Sequence, residues 1–258
     1  MQKVRSSLKI VILIAIIMIP VLAAVVKFTE NYVIIDDYSG MKIYNIDTTT
    51  ELEMGHFLNW QIKRLKNLNE LTIYQEQRDD LSFLKNFDNL EYLHLTDETP
   101  EKTADIDTLP AISNLNTLLL TNYTKKGFDS SSLGQLSSLE ILYAFCCNLH
   151  DWSFVENMPN LKYVSHVNYY GDTAGYDEYD WTPLGSAVSL EEFEVTNVYY
   201  DKELLEALEK LPSLNRVYIY FYKFQEFTDE ESTYIFDWIE RMEEKGIECK
   251  VGRFNYDV

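Results

Sequence analysis

The residues best suited to bind a metal or catalyse a reaction are few and widely separated in this chain. The four histidines are His56, His94, His150 and His166. No two of them have the H-x-x-x-H spacing that places two imidazoles on one helix face around zinc. The chain also lacks a glycine-rich phosphate loop, a G-x-S-x-G turn and a C-x-x-C pair. We therefore predict no catalytic residues, no metal site and no cofactor, and expect a protein that is not an enzyme.

Cysteines and a cluster of acids are the other groups with metal or redox chemistry. The three cysteines, Cys146, Cys147 and Cys249, are odd in number and two are adjacent, so we expect buried thiols instead of a disulfide framework. Residues 167–180 carry four acids that could bind Ca²⁺: Asp172, Asp177, Glu178 and Asp180. Their spacing matches no EF-hand loop, so an exposed acidic loop is the simpler expectation.

The chain is strongly acidic, with 22 basic against 42 acidic side chains among 258 residues. Four basic residues precede the first acid, Glu30, so residues 28–258 carry 18 basic and 42 acidic side chains, a net charge of −24. A domain of this sign lacks the positive surface that neutralises phosphates, and we expect no nucleic-acid partner. It is suited to attract a basic protein instead.

An unbroken apolar run, IVILIAIIMIPVLAAVV, occupies residues 10–26 behind a basic start. A helix of that length spans about 25 Å, slightly less than a hydrocarbon core of about 30 Å. Two interpretations stay open for residues 1–27: a cleaved signal peptide, or a retained signal-anchor. Under both, the rest of the chain is expected outside the cytoplasm, either secreted or held at the cell membrane by a single span.

A repeat of 22 to 29 residues organises the middle of the chain. Apolar residues recur around an anchor leucine, at −6, −3, +3 and +5. The +3 and +5 residues share one face of a short strand, and the three-residue spacing before the anchor suits a 3₁₀ turn. Stacked units would join their apolar faces into one core beside a parallel sheet. The seven anchors are Leu68, Leu90, Leu115, Leu139, Leu161, Leu190 and Leu214.

The L-x-x-L-x-L frame of these strands resembles the leucine-rich repeat, and the preceding L-x-x-L with its spacing is similar to the internalin-type bacterial class. The resemblance covers about residues 60–224. It implies an α/β solenoid with a curved parallel sheet on the concave face and 3₁₀ or short helical segments on the convex face. Two departures are expected to make it irregular: the family's asparagine at +8 is absent from all seven repeats, and His166 occupies an inward strand position.

The array needs caps at both ends, because an uncapped end would expose the apolar core to water. Residues 28–60 are expected to form the N-terminal cap, with two short strands. Within it, Thr48 to Glu51 has the pattern of a capping box and predicts a helix that carries Met54 and Phe57.

The repeats then occupy residues 61–225, and residues 226–258 are expected to form the C-terminal cap. A second capping box at 228–231 predicts an amphipathic helix that contains Trp238 and stops at Gly246. A short alternating strand is expected to follow.

The strand residues at +2, +4 and +6 point away from the core and form the predicted binding surface. Near the centre they are apolar and aromatic, although a solvent-facing sheet surface should be mostly polar. Tyrosine offers contact area at low entropic cost, so we predict a protein-binding site; the alternative is that β-propensity alone selects these residues. The predicted concave-face residues are Tyr92, His94, Leu119, Ile141, Tyr143, Phe145, Tyr163, Val167, Tyr218 and Tyr220.

A 29-residue interval between two anchors adds an insertion, and insertions in repeat proteins often lie on the binding face. Its tyrosines are predicted to contact the same partner: Tyr169, Tyr170, Tyr176 and Tyr179. The sequence therefore predicts an extracytoplasmic, membrane-anchored or secreted protein that recognises another protein. The alternatives are an acidic inhibitor or immunity protein for a basic toxin or nuclease, as leucine-rich-repeat ribonuclease inhibitors suggest, a structural envelope component, and an enzyme with a dispersed site.

Overall fold

The computed structural model describes residues 27, 30–37, 40–54, 60–75, 80–97, 106–123, 130–168, 179–222 and 224–253. Its eleven strands form a single sheet. Their bounds are β1 Tyr32–Asp37, β2 Gly40–Asn45, β3 Glu51–Met54, β4 Glu70–Gln75, β5 Tyr92–Asp97, β6 Thr117–Thr121, β7 Ile141–Phe145, β8 Tyr163–Val167, β9 Glu192–Val198, β10 Arg216–Phe221 and β11 Glu248–Arg253. Strands β3 to β11 are parallel and follow chain order, while β1 pairs antiparallel with β2 and β3.

Each predicted repeat supplies one of the strands β4 to β10, and a short turn on the other side of the core returns the chain. The turns are 3₁₀ helices at Trp60–Arg64, Ser82–Asn86, Ile106–Thr108, Ser131–Gln135, Ser153–Asn157 and Thr182–Ser186. Before β10 the turn is replaced by helix α1, Lys202–Glu209. The +3 leucines, such as Leu93 and Leu118, are fully buried and lie side by side in register. The predicted solenoid is therefore confirmed.

A ladder of side-chain hydrogen bonds, not predicted from the sequence, joins successive coils on the side of the turns. The residue before each of the seven anchors is Asn or Ser, and it donates to a backbone carbonyl of the preceding coil. The pairs are Asn67 to Asp47 (2.8 Å), Asn89 to Lys66 (2.9 Å), Asn114 to Asp88 (2.5 Å), Ser138 to Leu115 (2.8 Å), Asn160 to Ser137 (2.9 Å), Ser189 to Pro159 (2.5 Å) and Ser213 to Val188 (2.8 Å). These bonds satisfy carbonyls that the short turns leave free.

Three of the seven +8 positions are filled by buried apolar side chains where the family has asparagine. Tyr123, Cys147 and Val198 are all buried there. The residue just before each of them has a left-handed backbone, with φ of 65° at Asn122, 54° at Cys146 and 61° at Asn197. Asparagine tolerates this conformation better than most residues. In these three repeats the turn is thus made by the +7 backbone, and the +8 side chain completes the core.

The helix predicted from the Thr48–Glu51 capping box is wrong at its first turn. Residues 51–54 are β3, which pairs in parallel with β4 and places Leu52 beside Leu71 and Met54 beside Ile73. Leu52 and Met54 therefore occupy the +3 and +5 positions of an additional coil. Pairing with a neighbouring strand has overridden a local helix signal. The parallel array begins before residue 60.

The C-terminal cap contains helix α2, Asp229–Glu244, and β11. The expected capping box is present: Thr228 Oγ1 accepts from the Glu231 amide (3.2 Å), and the Glu231 carboxylate accepts from the Thr228 amide (2.7 Å). Trp238 is buried, and its Nε1 donates to the Leu205 carbonyl at 2.9 Å. Gly246 ends the segment with φ of 82°, and β11 then pairs in parallel with β10. The cap covers the last coil of the core.

The predicted signal peptide or signal-anchor, residues 10–26, lies outside the described residues. None of the helices within the described part of the chain is long and apolar enough to cross a membrane.

Candidate binding surface on the concave face

Register places the outward side chains in three rows across the sheet. We call this surface, formed by the +2, +4 and +6 residues, the concave face. From β4 to β10, the +2 row is Glu70, Tyr92, Thr117, Ile141, Tyr163, Glu192 and Arg216; the +4 row is Thr72, His94, Leu119, Tyr143, Ser165, Glu194 and Tyr218; and the +6 row is Tyr74, Thr96, Thr121, Phe145, Val167, Thr196 and Tyr220. All ten predicted concave-face residues lie in these rows.

The middle of the face, on β5 to β8, is an apolar and aromatic surface about 14 Å wide, which is three strand spacings. We define the central patch as Tyr92, Leu119, Ile141, Tyr143, Phe145 and Tyr163. The Tyr143 ring lies 6.1 Å from that of Phe145 and 5.3 Å from that of Tyr163, measured between centroids. Each of these side chains is partly buried. Val167 is only 6% exposed, so it supports the patch and offers a partner little area.

His94 borders the patch as a neutral side chain. Its Nε2 lies 2.7 Å from Thr96 Oγ1 and 3.1 Å from Thr121 Oγ1, and its ring meets the edge of Tyr74. Burial lowers the pKa of His94 below its ordinary 6.5, although the charge of Glu53 opposes this shift. The lowered pKa favours the neutral form of the imidazole on the concave face.

Carboxylates flank the central patch on both sides. Glu194 Oε2 accepts from Ser165 Oγ at 2.8 Å and lies 3.4 Å from the Tyr163 hydroxyl. Burial, followed by the charge of Glu194, raises the pKa of Tyr163 to about 12. At the opposite side, burial and then the charge of Glu70 raise the pKa of Tyr92. The aromatic rings thus lie in a field of negative charge.

The end of the face on β10 and β11 is internally paired. Arg216 Nη1 lies 2.7 Å from Glu192 Oε2, and Arg216 Nε lies 3.4 Å from Glu248 Oε2. Lys250 Nζ is 4.7 Å from the centroid of the Tyr218 ring and 3.4 Å from Glu248 Oε1. The predicted site residue Tyr218 is therefore already covered by a cation of its own chain. The outward rows predicted from the sequence include Glu192, Glu194 and Arg216, but not Glu248 and Lys250, which lie on β11 of the cap and pair with this end of the face.

The insertion tyrosines Tyr169, Tyr170 and Tyr176 lie outside the described residues. Tyr179 packs against the core: its ring stacks on Trp181 at 4.9 Å, with His150 at the same distance. Only part of that ring is open to a partner.

Neither the cysteines nor the described acid of the insertion forms a metal site. Cys146 and Cys147 are buried thiols that form no disulfide, and Cys147 Sγ donates to the Phe145 carbonyl at 3.3 Å. Asp180, one of the four acids considered for Ca²⁺, accepts from the Thr182 amide at 3.1 Å and so opens a 3₁₀ turn; the other three are not described. Within the described ranges, no three His, Cys, Asp or Glu side chains are grouped so that they could hold a metal ion.

A parallel sheet of short strands, each returned by a tight turn and lined inside by +3 and +5 apolar residues, is a leucine-rich-repeat solenoid. The described chain therefore has this fold, and the solved structures that resemble it include internalins. It is similar to internalin C2 of Listeria monocytogenes, with 26% identity over 69% of this chain and 72% of that chain, and a TM-score of 0.44.

Internalin F of the same species is 18% identical over 81% of this chain and 70% of that chain, with a TM-score of 0.47. A chain of the Toll–Spatzle complex of Drosophila is 14% identical over 68% of this chain and 24% of that chain, also with a TM-score of 0.47. No protein-family model matches the sequence, and no curated protein matches it either.

Proposed function

We propose that this protein recognises another protein through its concave face, with the central patch as the anchor. The observation that carries the proposal is the contiguous group of large rings on a sheet surface that faces outward. Solenoids use their extended sheet face for binding, and tyrosine and other aromatic side chains dominate binding energy at protein interfaces. Nine parallel strands span about 38 Å, which is long enough for a standard interface.

We further propose that the repeat domain acts outside the cytoplasm and is tethered to the membrane or secreted. The basic start and apolar run of residues 10–26 support this proposal. Protease protection of the repeat domain in intact cells would test the topology: a domain that resists added protease until the cells are opened contradicts an outside location.

The binding proposal is tested by capture and then by affinity. The full-length chain in detergent micelles is used as bait against lysate and culture supernatant, beside a Tyr143→Ala, Phe145→Ala double variant. Two exposed apolar residues outside the concave face, Val188 and Phe236, supply the matched control when both are changed to alanine. We expect the control to retain the captured protein and the central double variant to lose it. Equal capture by both variants contradicts the proposal.

A second candidate function is favoured by charge. A net of −24 on residues 28–258 suits an acidic inhibitor or immunity protein that covers a basic toxin or nuclease. Such a complex is expected to weaken steeply between 50 and 500 mM salt, since charged surfaces are screened. Recognition that rests mainly on the aromatic patch is expected to change little over the same range.

A further inference from the structure

The C-terminal end of the concave face contains a complete arrangement of tyrosine, carboxylate and cation. Lys250 Nζ lies 4.7 Å from the centroid of the Tyr218 ring, and the Tyr218 hydroxyl and Lys250 Nζ both lie 3.4 Å from Glu248 Oε1. An ammonium over a tyrosine ring is attracted by the negative face of the π system. Here the chain itself supplies all three groups.

The central patch repeats the tyrosine and the carboxylate but lacks the cation. Tyr143 and Tyr163 have centroids 5.3 Å apart, and the Tyr163 hydroxyl is directed to Glu194 at 3.4 Å. Among the described residues, no lysine or arginine lies over either ring or forms an ion pair with Glu194. The tyrosine and the carboxylate are therefore present here, and the described residues supply no cation to them.

The third tyrosine of this region, Tyr92, lies on β5, two strands away from Tyr143 on β7. Tyr143 is close enough to Tyr92 and to Tyr163 to contribute to the raised pKa of each, after burial and the neighbouring glutamate. Register places Leu119 on the strand between those of Tyr92 and Tyr143, so an apolar side chain lies at the base of the cluster. Burial lowers the pKa of the neighbouring His94, which favours its neutral form beside the cluster.

We propose that the cluster of Tyr92, Tyr143 and Tyr163 binds a cationic side chain, that of arginine or lysine, presented by the partner protein. The proposal rests on the proposed function, because the protein that the concave face recognises carries the cation. Glu70 and Glu194 supply charge complementarity at the two sides. Arginine fits best, since its planar guanidinium stacks on a ring while still donating to a carboxylate.

The test uses the full-length chain in detergent micelles, with ¹³C-labelled tyrosine, and three capped pentapeptides that differ only at the central residue. That residue is arginine, citrulline or leucine; citrulline keeps the shape of arginine but is uncharged. We expect the arginine peptide to shift the ring signals of Tyr143 and Tyr163 and to bind about tenfold more tightly than the other two. Equal binding of the arginine and citrulline peptides overturns the proposal.

Variants assign the effect to the cluster. We expect Tyr143→Leu to weaken the arginine peptide about tenfold and Glu194→Gln to weaken it about threefold, the latter effect fading at high salt. Tyr199→Leu is the matched control, because Tyr199 is exposed and lies outside the three rows. Thermal unfolding shows that each variant is folded. Unchanged affinity in a folded Tyr143→Leu chain overturns the proposal.

Two further arms separate the possible failures. Spermidine is expected to bind more weakly than the arginine peptide; tighter binding would assign a free polycation in place of a protein side chain. If the leucine peptide binds best and depends on Tyr143, the concave face still recognises protein but the cation is excluded. Failure of the proposed function would give a different result: the Tyr143→Ala, Phe145→Ala variant would still capture the partner fully.

Discussion

The centre and the C-terminal end of the concave face are built from the same residue types, but their aromatic rings have different neighbours. At the end, Tyr218 is covered by Lys250, and Arg216 bridges Glu192 and Glu248. In the centre, the rings contact one another, and the Tyr163 hydroxyl donates to the Glu194 carboxylate. An outward aromatic residue therefore indicates a binding site only if no other side chain of the same protein already covers its ring.

The largest expected effect separates the two regions directly. Against the purified partner, we expect Tyr143→Ala, Phe145→Ala to lose about 2 kcal/mol or more, roughly 30-fold in Kd, because these rings are the proposed anchors. We expect Tyr218→Ala, Tyr220→Ala to lose at most about threefold, because that end is internally paired. Titration calorimetry with each variant measures both values. Equal losses would break the comparison.

A buried histidine on the core side of β8 should make the stability of the centre, but not that of the end, depend on acidic pH. His166 is fully buried on β8, beside Tyr179 and His150, whereas the corresponding residue of β10 is Ile219. Burial lowers the pKa of His166 to about 4, well below its ordinary 6.5. The unfolded chain therefore takes up a proton before the folded chain does, and stability falls as pH drops from 6.5 towards 4, by up to about 1.4 kcal/mol per pH unit.

The change that tests this acid sensitivity is His166→Leu, at a position flanked by Ala144 and Val195. We expect the variant to be equally or more stable at pH 7. Its free energy of unfolding should fall less steeply below pH 6.5, and the decline that remains should include the contribution of His94. Urea unfolding followed by circular dichroism at several pH values measures it. An unchanged pH slope would show that His166 is not the group that titrates.

The hydrogen-bond ladder should behave alike in both regions. Asn160→Ala in the centre and Ser213→Ala at the end each remove one bond to the preceding coil. We expect each change to cost about 1 kcal/mol in the free energy of unfolding, as for one typical hydrogen bond, without altering partner affinity. A large loss at one position only would show that the coils depend unequally on the ladder.

The smallest expected change in stability is the most informative for the comparison. Lys250→Ala removes an exposed cation whose ion pairs are screened by solvent and add little to stability. It also uncovers the Tyr218 ring while leaving Glu248 in place. We expect the arginine pentapeptide to gain a second, weaker site, seen as a change in stoichiometry from one to two and as new shifts in the Tyr218 ring signals. If one peptide still binds per protein, the two regions do not share the same cation-binding chemistry.

The sequence predicted the strands of this solenoid well because five apolar positions recur in register with each anchor. It failed at 51–54, where a capping-box pattern and an alternating Leu52 and Met54 coexist and only pairing with β4 decides between them. The ladder was visible as Asn or Ser before every anchor, yet its meaning required the position of the preceding coil.

The candidate surface was predictable for the same reason, since alternation assigns the outward rows. Which residues of each row are already covered by other side chains of the chain was not predictable. Lys250 covers Tyr218 from 32 positions further along the chain, and the partial burial of Tyr179 depends on stacking against Trp181. Contacts of this kind depend on which strands and turns become neighbours, which local pattern does not specify.

The ladder also bears on how such an array can change its length. Each of the seven repeats has its own Asn or Ser, which donates a hydrogen bond to the coil before. A duplicated stretch of 22 to 25 residues would therefore carry its own ladder bond. A deletion of one whole coil would let the next Asn or Ser donate to the carbonyl of an earlier coil. Growth and shrinkage by single units are therefore compatible with a fully satisfied backbone, and the reach of the binding face can be adjusted in steps of one strand, about 4.8 Å.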